Sequence, residues 1–238
     1  MREYSFDLYD QNGVRITTAG GIAKVVAASG FSEVALLTEA GAALANPISL
    51  SNGTGEFRTA DSVTSVDVYG QAPDGRGFVA KGISGTHNVI KIDTNSMHGA
   101  LKIPFDIGED SDITANTEFD TGFDADASLL FTPTPGVYIG EADATETIDV
   151  GTDGSGSNDP NGFMATVPVS GTAGTFAKAT LLNSGVTMGA LFFVQDSANA
   201  GDAAPEGFVG DGDNITLTLT AGSDTAAGLI TLPYVYMG

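Results

Sequence analysis

Apolar and polar side chains alternate with a period of two residues through most of this chain, and turn residues cut the alternation at short intervals. A period of two lines one face of an extended strand with apolar groups, whereas an amphipathic helix needs a period near 3.6. Tyr4, Phe6 and Leu8 alternate with Ser5, Asp7 and Tyr9, and Asp10-Gln11-Asn12-Gly13 then turns the chain. The runs AKVVAA, SEVALL, NPISL, EFRTA, VTSVDVYG, GFVAKGI, NVIKID and ALKIPF follow, with turns at SNGTG after Leu50, APDGRG after Gln71 and Asn95-Ser96. ASLLFT, GVYIGEA, ETIDVG, FMATVPVS, TFAKATLL and GALFFVQ continue the pattern. No sustained helical pattern competes with it, so an all-β fold is expected and an α/β enzyme architecture is not.

Two segments carry specific expectations. SEVALLTEAGAALANP could start a helix at Ser32, but Gly41 in its middle and Pro47 at its end favour two short strands around TEAGA. Near the end, NITLTLTA sets Ile215, Leu217 and Leu219 against Thr216, Thr218 and Thr220, and LITLPYVY follows with Ile230, Leu232, Tyr234 and Tyr236 on one face. With GSDTAAG between them, these read as an antiparallel hairpin with a buried side and a Thr-rich wet side.

Charge divides the chain. Of 30 acidic and 9 basic residues, residues 1–102 hold 10 and 8, a net of −2, and residues 103–238 hold 20 and 1 (Lys178), a net of −19. The length of 238 residues suits one large all-β domain or two modules, and the charge asymmetry reads as two, with their join near Lys102–Asp112. The expected organisation is two antiparallel β-sandwich or barrel-like modules in tandem, 1–103 near neutral and 104–238 acidic. A hydrophobic content of 42% with regular alternation argues against a disordered acidic tail. A net charge of −21 opposes a phosphate backbone or an anionic membrane, so no nucleic-acid or membrane partner is expected. No signal peptide is visible, because Arg2, Glu3, Asp7, Asp10 and Arg15 interrupt the start. The charge-free stretch Ala179–Gln195 is broken by Asn183, Ser184, Gly185 and Thr187, so a soluble protein is expected.

Catalytic chemistry has few candidates. Cysteine is absent, and His87 and His98 are the two histidines; each reads as a loop or strand-edge residue. There is no G-x-S-x-G elbow, Walker loop or Rossmann fingerprint. Tryptophan is absent, and the Phe and Tyr residues look like strand interior. No catalytic, cofactor-binding or metal site residue is assigned, and an enzyme is not expected. Metal binding has slightly more support: Asp110/Asp112, Asp124/Asp126 and Asp211/Asp213 are D-x-D pairs, and Asp149, Asp153 and Asp159 bracket a Gly/Ser-rich loop. Ca²⁺ collects oxygens from such loops, but Leu129 and Pro135 stand where an EF-hand beginning at Asp124 requires Gly and Glu. Solvated Asp in turns is the stronger reading. No cofactor is therefore expected, with Ca²⁺ the ion these loops would take.

Two stretches resemble virion structural proteins of tailed bacteriophages. VGTDGSGSNDPNGFMATVPVSGTAG followed by ITLTLTAGSDTAAGLITLPYVYMG resembles their C-terminal β-module, with Asn161 replacing the Asp of the "DGF"-like turn in Asp159-Pro160-Asn161-Gly162-Phe163. LLTEAGAALANPISLSNGTGEF ahead of VTSVDVYG resembles the small β-sandwiches of head and tail appendages. The resemblance implies a capsid decoration, or cement, protein on the outer surface of the virion, bound to the major capsid protein and assembled as a homotrimer. Cyclic association would also cover the open edge strands of two sandwiches. The alternatives are a head or tail fibre or receptor-binding adhesin, a secreted Ca²⁺-dependent adhesion module and, last, an acid/base hydrolase.

Overall fold

The fold comes from a computed structural model that describes residues 1–108, 117–143, 146–153, 159–178, 207–219 and 225–238. All of its regular elements are strands, arranged in four sheets around two cores. In the first part these are β1 (Arg2–Asp10), β2 (Ile22–Ala27), β3 (Leu36–Leu37), β4 (Ala43–Leu44), β5 (Ile48–Ser49), β6 (Thr54–Thr59), β7 (Val66–Gln71), β8 (Gly77–Ile83) and β9 (Asn88–Ile92). One sheet runs β4-β3-β6-β1-β9 and the other β5-β2-β7-β8. Every neighbouring pair is antiparallel except β1 and β9, which run parallel with Phe6 opposite Asn88.

The alternation explains the packing of these two sheets. Tyr4, Phe6 and Leu8 are fully buried between them, with Val25, Phe57, Val68 and Phe78. The rings of Tyr4 and Phe57 stack at 5.2 Å, and Phe6 meets Phe78 at 6.4 Å. Gly55 stands opposite Phe6, and a Cβ there would come within 2.2 Å of the Phe6 ring, so no larger residue fits. The TEAGA segment is a hairpin as expected, β3 pairing with β4 through Leu36–Leu44 and Leu37–Ala43.

The second part contains β10 (His98–Asp106), β11 (Glu118–Asp124), β12 (Leu129–Phe131), β13 (Gly136–Glu141), β14 (Thr147–Thr152), β15 (Asp159–Pro168), β16 (Thr175–Lys178), β17 (Phe208–Val209), β18 (Asn214–Leu219) and β19 (Ala227–Tyr236). One sheet runs β16-β13-β19-β12-β17 with β10 also on β19, and the other β11-β18-β14-β15. Phe131 is central to the core between them, with Phe163 at 5.1 Å, Phe208 at 6.4 Å and Tyr234 at 6.5 Å.

The structure corrects the expected terminal hairpin. β18 and β19 lie in different sheets: β11 and β14 flank β18, while β10, β12 and β13 occupy both sides of β19. Ile215, Leu217 and Leu219 therefore face Ile230, Leu232 and Tyr234 across the core. Alternation reveals that a strand has a buried face, and two successive amphipathic strands satisfy it equally well as sheet neighbours or as opposed layers. Pro233 is tolerated in this central strand because β13 pairs with β19 up to Thr231 and β12 pairs from Tyr234 onward, so its missing N–H falls in the gap. The expected wet side is also partly dry. Thr216 is buried and its hydroxyl donates to Glu118 Oε1 at 2.8 Å.

The chain passes from one pair of sheets to the other at Asp93–Met97, ahead of the join that charge suggested. Lys102 and Ile103 lie inside β10, whose nine residues all pair with β19. The crossing turn is held by the Asp93 carboxylate, which accepts from the backbone N–H of Asn95 and Ser96, each at 3.1 Å.

Candidate functional site

Three surfaces bear on function: the junction between the sandwiches, an acidic end of the second, and a polar cleft on the first. The junction is built around the turn that follows β7. Gln71 is buried there and its side-chain amide behaves as a strand partner, accepting from Asp124 N–H at 2.9 Å and donating to Asp124 C=O at 2.8 Å. Ser128 donates to Asp74 C=O at 2.9 Å, and Gly77 N–H donates to the Tyr234 hydroxyl at 3.0 Å. The Arg76 guanidinium lies 3.7 Å from the centre of the Tyr236 ring. Gly75, with φ of +84°, packs so tightly on Asp126 that a Cβ would come within 2.6 Å of that side chain. Val26 and Tyr69 of the first sandwich extend into the core of the second.

The acidic end gathers several of the Asp residues that the sequence singled out. Asp124 lies opposite Asn214, Ala125 N–H donates to Asp213 C=O at 2.8 Å, and Gly212 N–H donates to Ala125 C=O at 2.8 Å. The 124–126 and 211–213 pairs are thus neighbours, 87 residues apart in sequence. Burial pushes the Asp124 carboxyl above the ordinary carboxylate range, and the charges of Asp120, Asp126 and Asp153 push it further. Asp213 is raised by desolvation, by its hydrogen bond with Asp211 and by the charges of Asp211 and Asp153.

These carboxylates act mainly as turn acceptors. Asp120 accepts from Gly122 N–H at 2.7 Å and Asp126 from Ser128 N–H at 2.8 Å, and Asp153 accepts from the backbone and side chain of Asn214 at 3.1 and 2.9 Å. Asp149 stands apart, accepting from Thr166 N–H; burial raises its pKa and that hydrogen bond lowers it. Among the described residues, no three His, Asp or Glu side chains are arranged to hold a metal ion. Asp110, Asp112 and the side chain of Asp159 lie outside the described residues.

The polar cleft has a volume of about 890 Å³ and lies on the outer face of the β1–β6 pair. Its floor follows from the alternation that buries Tyr4, Phe6 and Leu8. Ser5 and Asp7 take the opposite face of β1, directly across from Glu56 and Thr54. Arg15 Nη2 donates to Asp7 Oδ1 at 2.7 Å and to Thr54 Oγ1 at 2.5 Å, and the Thr54 hydroxyl donates to Asp7 Oδ1 at 2.6 Å. Thr17, Ser49, Ser51, Asn52 and His87 complete the lining.

His87 meets the expected loop position just before β9, but its backbone has φ of +62° and its N–H donates to Ser5 Oγ at 2.8 Å. A left-handed residue other than glycine is uncommon, and such residues recur where side chains are held for binding. His98 begins β10 at the surface, with its N–H and C=O both on the Ser96 hydroxyl. Sequence reading missed the cleft because its residues are ordinary strand polar positions. The cross-strand pairing of Ser5/Glu56 and Asp7/Thr54 was the signal available. The expectation that the aromatics are all interior fails at Tyr138 and Phe176, which pair side by side across β13 and β16 and are 38% and 44% exposed, with Phe31 6.2 Å from Tyr138.

No protein-family model matches the chain, and neither does any curated protein. Among solved structures, the chain is similar to the crystal structure of BcpA*(D312A), the major pilin subunit of Bacillus cereus, at 12% identity and a TM-score of 0.17. The alignment spans 99% of this chain and 59% of the pilin.

Proposed function

We propose that this protein is a non-catalytic structural subunit of a virion surface, a capsid decoration protein that binds the major capsid protein and stabilises the shell by bridging its subunits. The observation that carries the proposal is the junction. A part that bridges neighbours must keep two surfaces at fixed separation, and here Gln71–Asp124, Ser128–Asp74 and Tyr234–Gly77 join the two sandwiches by side-chain-to-backbone bonds while Val26 and Tyr69 enter the second core. The charge split gives the part a direction. The first sandwich, with its bases largely balanced by acids, is the shell-facing side, and the acidic second sandwich faces outward. Assembly as a homotrimer covers open strand edges.

The test is to add purified protein to undecorated shells and measure copies bound and the temperature of shell disruption. Decoration predicts binding in hundreds of copies and a higher disruption temperature, retained by a fragment covering the first sandwich if that fragment folds. A fibre tip or adhesin would instead be present in a few to a few dozen copies per particle and leave shell stability unchanged.

A further inference from the structure

We propose that the cleft between β1, β6 and the segment before β9 binds a neutral, hydroxyl-rich ligand of the oligosaccharide class. This inference is independent of the decoration reading, because it concerns a concave site on one sandwich and not the fit of a broad surface. All ten lining residues are polar or charged, so an apolar ligand would find no surface to bury. Anions are disfavoured. Arg15, the one guanidinium present, is already committed to Asp7 and Thr54, and Asp7 and Glu56 both face the cleft. With Asp7, Glu56 and Arg15 as its charged residues, the lining has a small net charge and offers little to hold a polycation.

The lining suits a ligand that donates and accepts many hydrogen bonds without carrying charge. Glu56 makes no ion pair among the described residues, and its two oxygens can accept from the adjacent hydroxyls of a sugar ring. Thr17, Ser49 and Ser51 supply hydroxyls that serve as donor or acceptor, and the His87 ring supplies one more of each. The floor is preorganised. The Arg15–Asp7–Thr54 network fixes the Asp7 carboxylate, and the left-handed backbone of His87 is tied down by Ser5. Asn52, with φ of +50°, and Gly53, with φ of +72°, form the tight turn that places Ser51 at the rim. No Phe, Tyr or Trp ring lines the cleft as a platform for a sugar face, so the affinity of a single site is weak, and multiple copies in one assembly would strengthen it.

The experiment uses the full-length ¹⁵N-labelled protein titrated with cellotetraose, maltotetraose and chitotetraose, and separately with a sulfated disaccharide and with spermidine. The expected result is saturable amide shifts at Ser5, Asn52, Thr54 and His87 with at least one neutral tetrasaccharide. Two variants sharpen it. Glu56→Gln keeps the shape of an exposed side chain, and His87→Gly keeps the left-handed backbone without strain while removing the ring. Each should weaken binding by about tenfold, the loss of roughly one ligand hydrogen bond, with an unchanged unfolding temperature. The proposal is overturned if no neutral sugar gives saturable shifts, if the sulfated sugar or spermidine alone does, if the shifts map elsewhere, or if both folded variants bind as the parent does.

Discussion

The two sandwiches are built alike and handle charge in opposite ways. In the first, bases sit beside carboxylates: Arg15 on Asp7, Arg58 near Glu3 and Glu39, Arg76 on Asp74, and Lys81 on the buried Asp67. In the second, Lys178 is the one base after Lys102, and carboxylates are met by neutral backbone N–H groups at Asp120, Asp126, Asp149 and Asp153. A neutral donor satisfies the oxygens of a carboxylate but does not cancel its charge. The first sandwich therefore folds with its charges compensated, and the second folds against residual repulsion that its core must overcome. Aromatic packing at Phe131, Phe163, Phe208 and Tyr234 supplies much of that core.

The largest test of this contrast removes that packing. Phe131→Ala should cost about 3–5 kcal/mol, because Phe131 is fully buried and a ring-sized cavity opens among three other aromatic rings. Hydrogen exchange read by mass spectrometry should show the loss in β10 to β19 first. Equal loss of protection in β1 to β9 would mean that the two sandwiches unfold as one unit, and the contrast would not extend to stability.

The junction decides how far such a loss spreads. Gln71→Ala leaves the N–H and C=O of Asp124 without their partners, at a cost of about 1–3 kcal/mol for each group that water does not reach. Calorimetry should then resolve two transitions where the parent gives fewer or closer ones. A single transition lowered as a whole would place the coupling in the packing of Val26 and Tyr69 and not in the Gln71 bonds.

Much of this architecture was legible in sequence, and its limits are physical. The buried faces of β1 and of β18 and β19 follow from alternation, and the turns at Gly13 and at Asn52-Gly53 follow from residues that tolerate positive φ. Alternation carries no information on which strand lies next to which, so β18 and β19 read as a hairpin although they belong to opposite sheets. Charge and backbone pairing also mark different points: bases run as far as Lys102, whereas the chain crosses between the pairs of sheets at Asp93–Met97. The proximity of Asp124 and Asp213 and the cleft across Ser5, Thr54 and His87 depend on long-range register, which no local window contains.

The smallest effect is the response to acid, and its sign differs between the sandwiches. Asp124 and Asp149 titrate above the ordinary aspartate value of 3.8 in the folded protein, mainly through desolvation, so the folded state holds protons that the unfolded chain has released. Their ionisation destabilises the fold at neutral pH, and this penalty is relieved as pH falls through the raised folded pKa toward 3.8. Asp67 is the reverse. Burial pulls its pKa upward, but hydrogen bonds from Lys81, Gly82 and Ser29 outweigh that and leave it below 3.8. Its contribution is intact above 3.8 and is lost as pH falls from there through the lowered folded pKa. With exchange referenced to the intrinsic rate at each pH, mild acidification from neutrality should therefore raise the protection factors of β11 and β14 and leave those of β7 unchanged, with protection of β7 declining only in stronger acid. Solvent screening of the partly exposed Asp124 and Asp149 keeps the effect of each below about 1 kcal/mol. Asp124→Asn and Asp149→Asn together should abolish the gain in the second sandwich; a gain that persists in that variant would assign the acid response to other carboxylates and remove these two from the contrast.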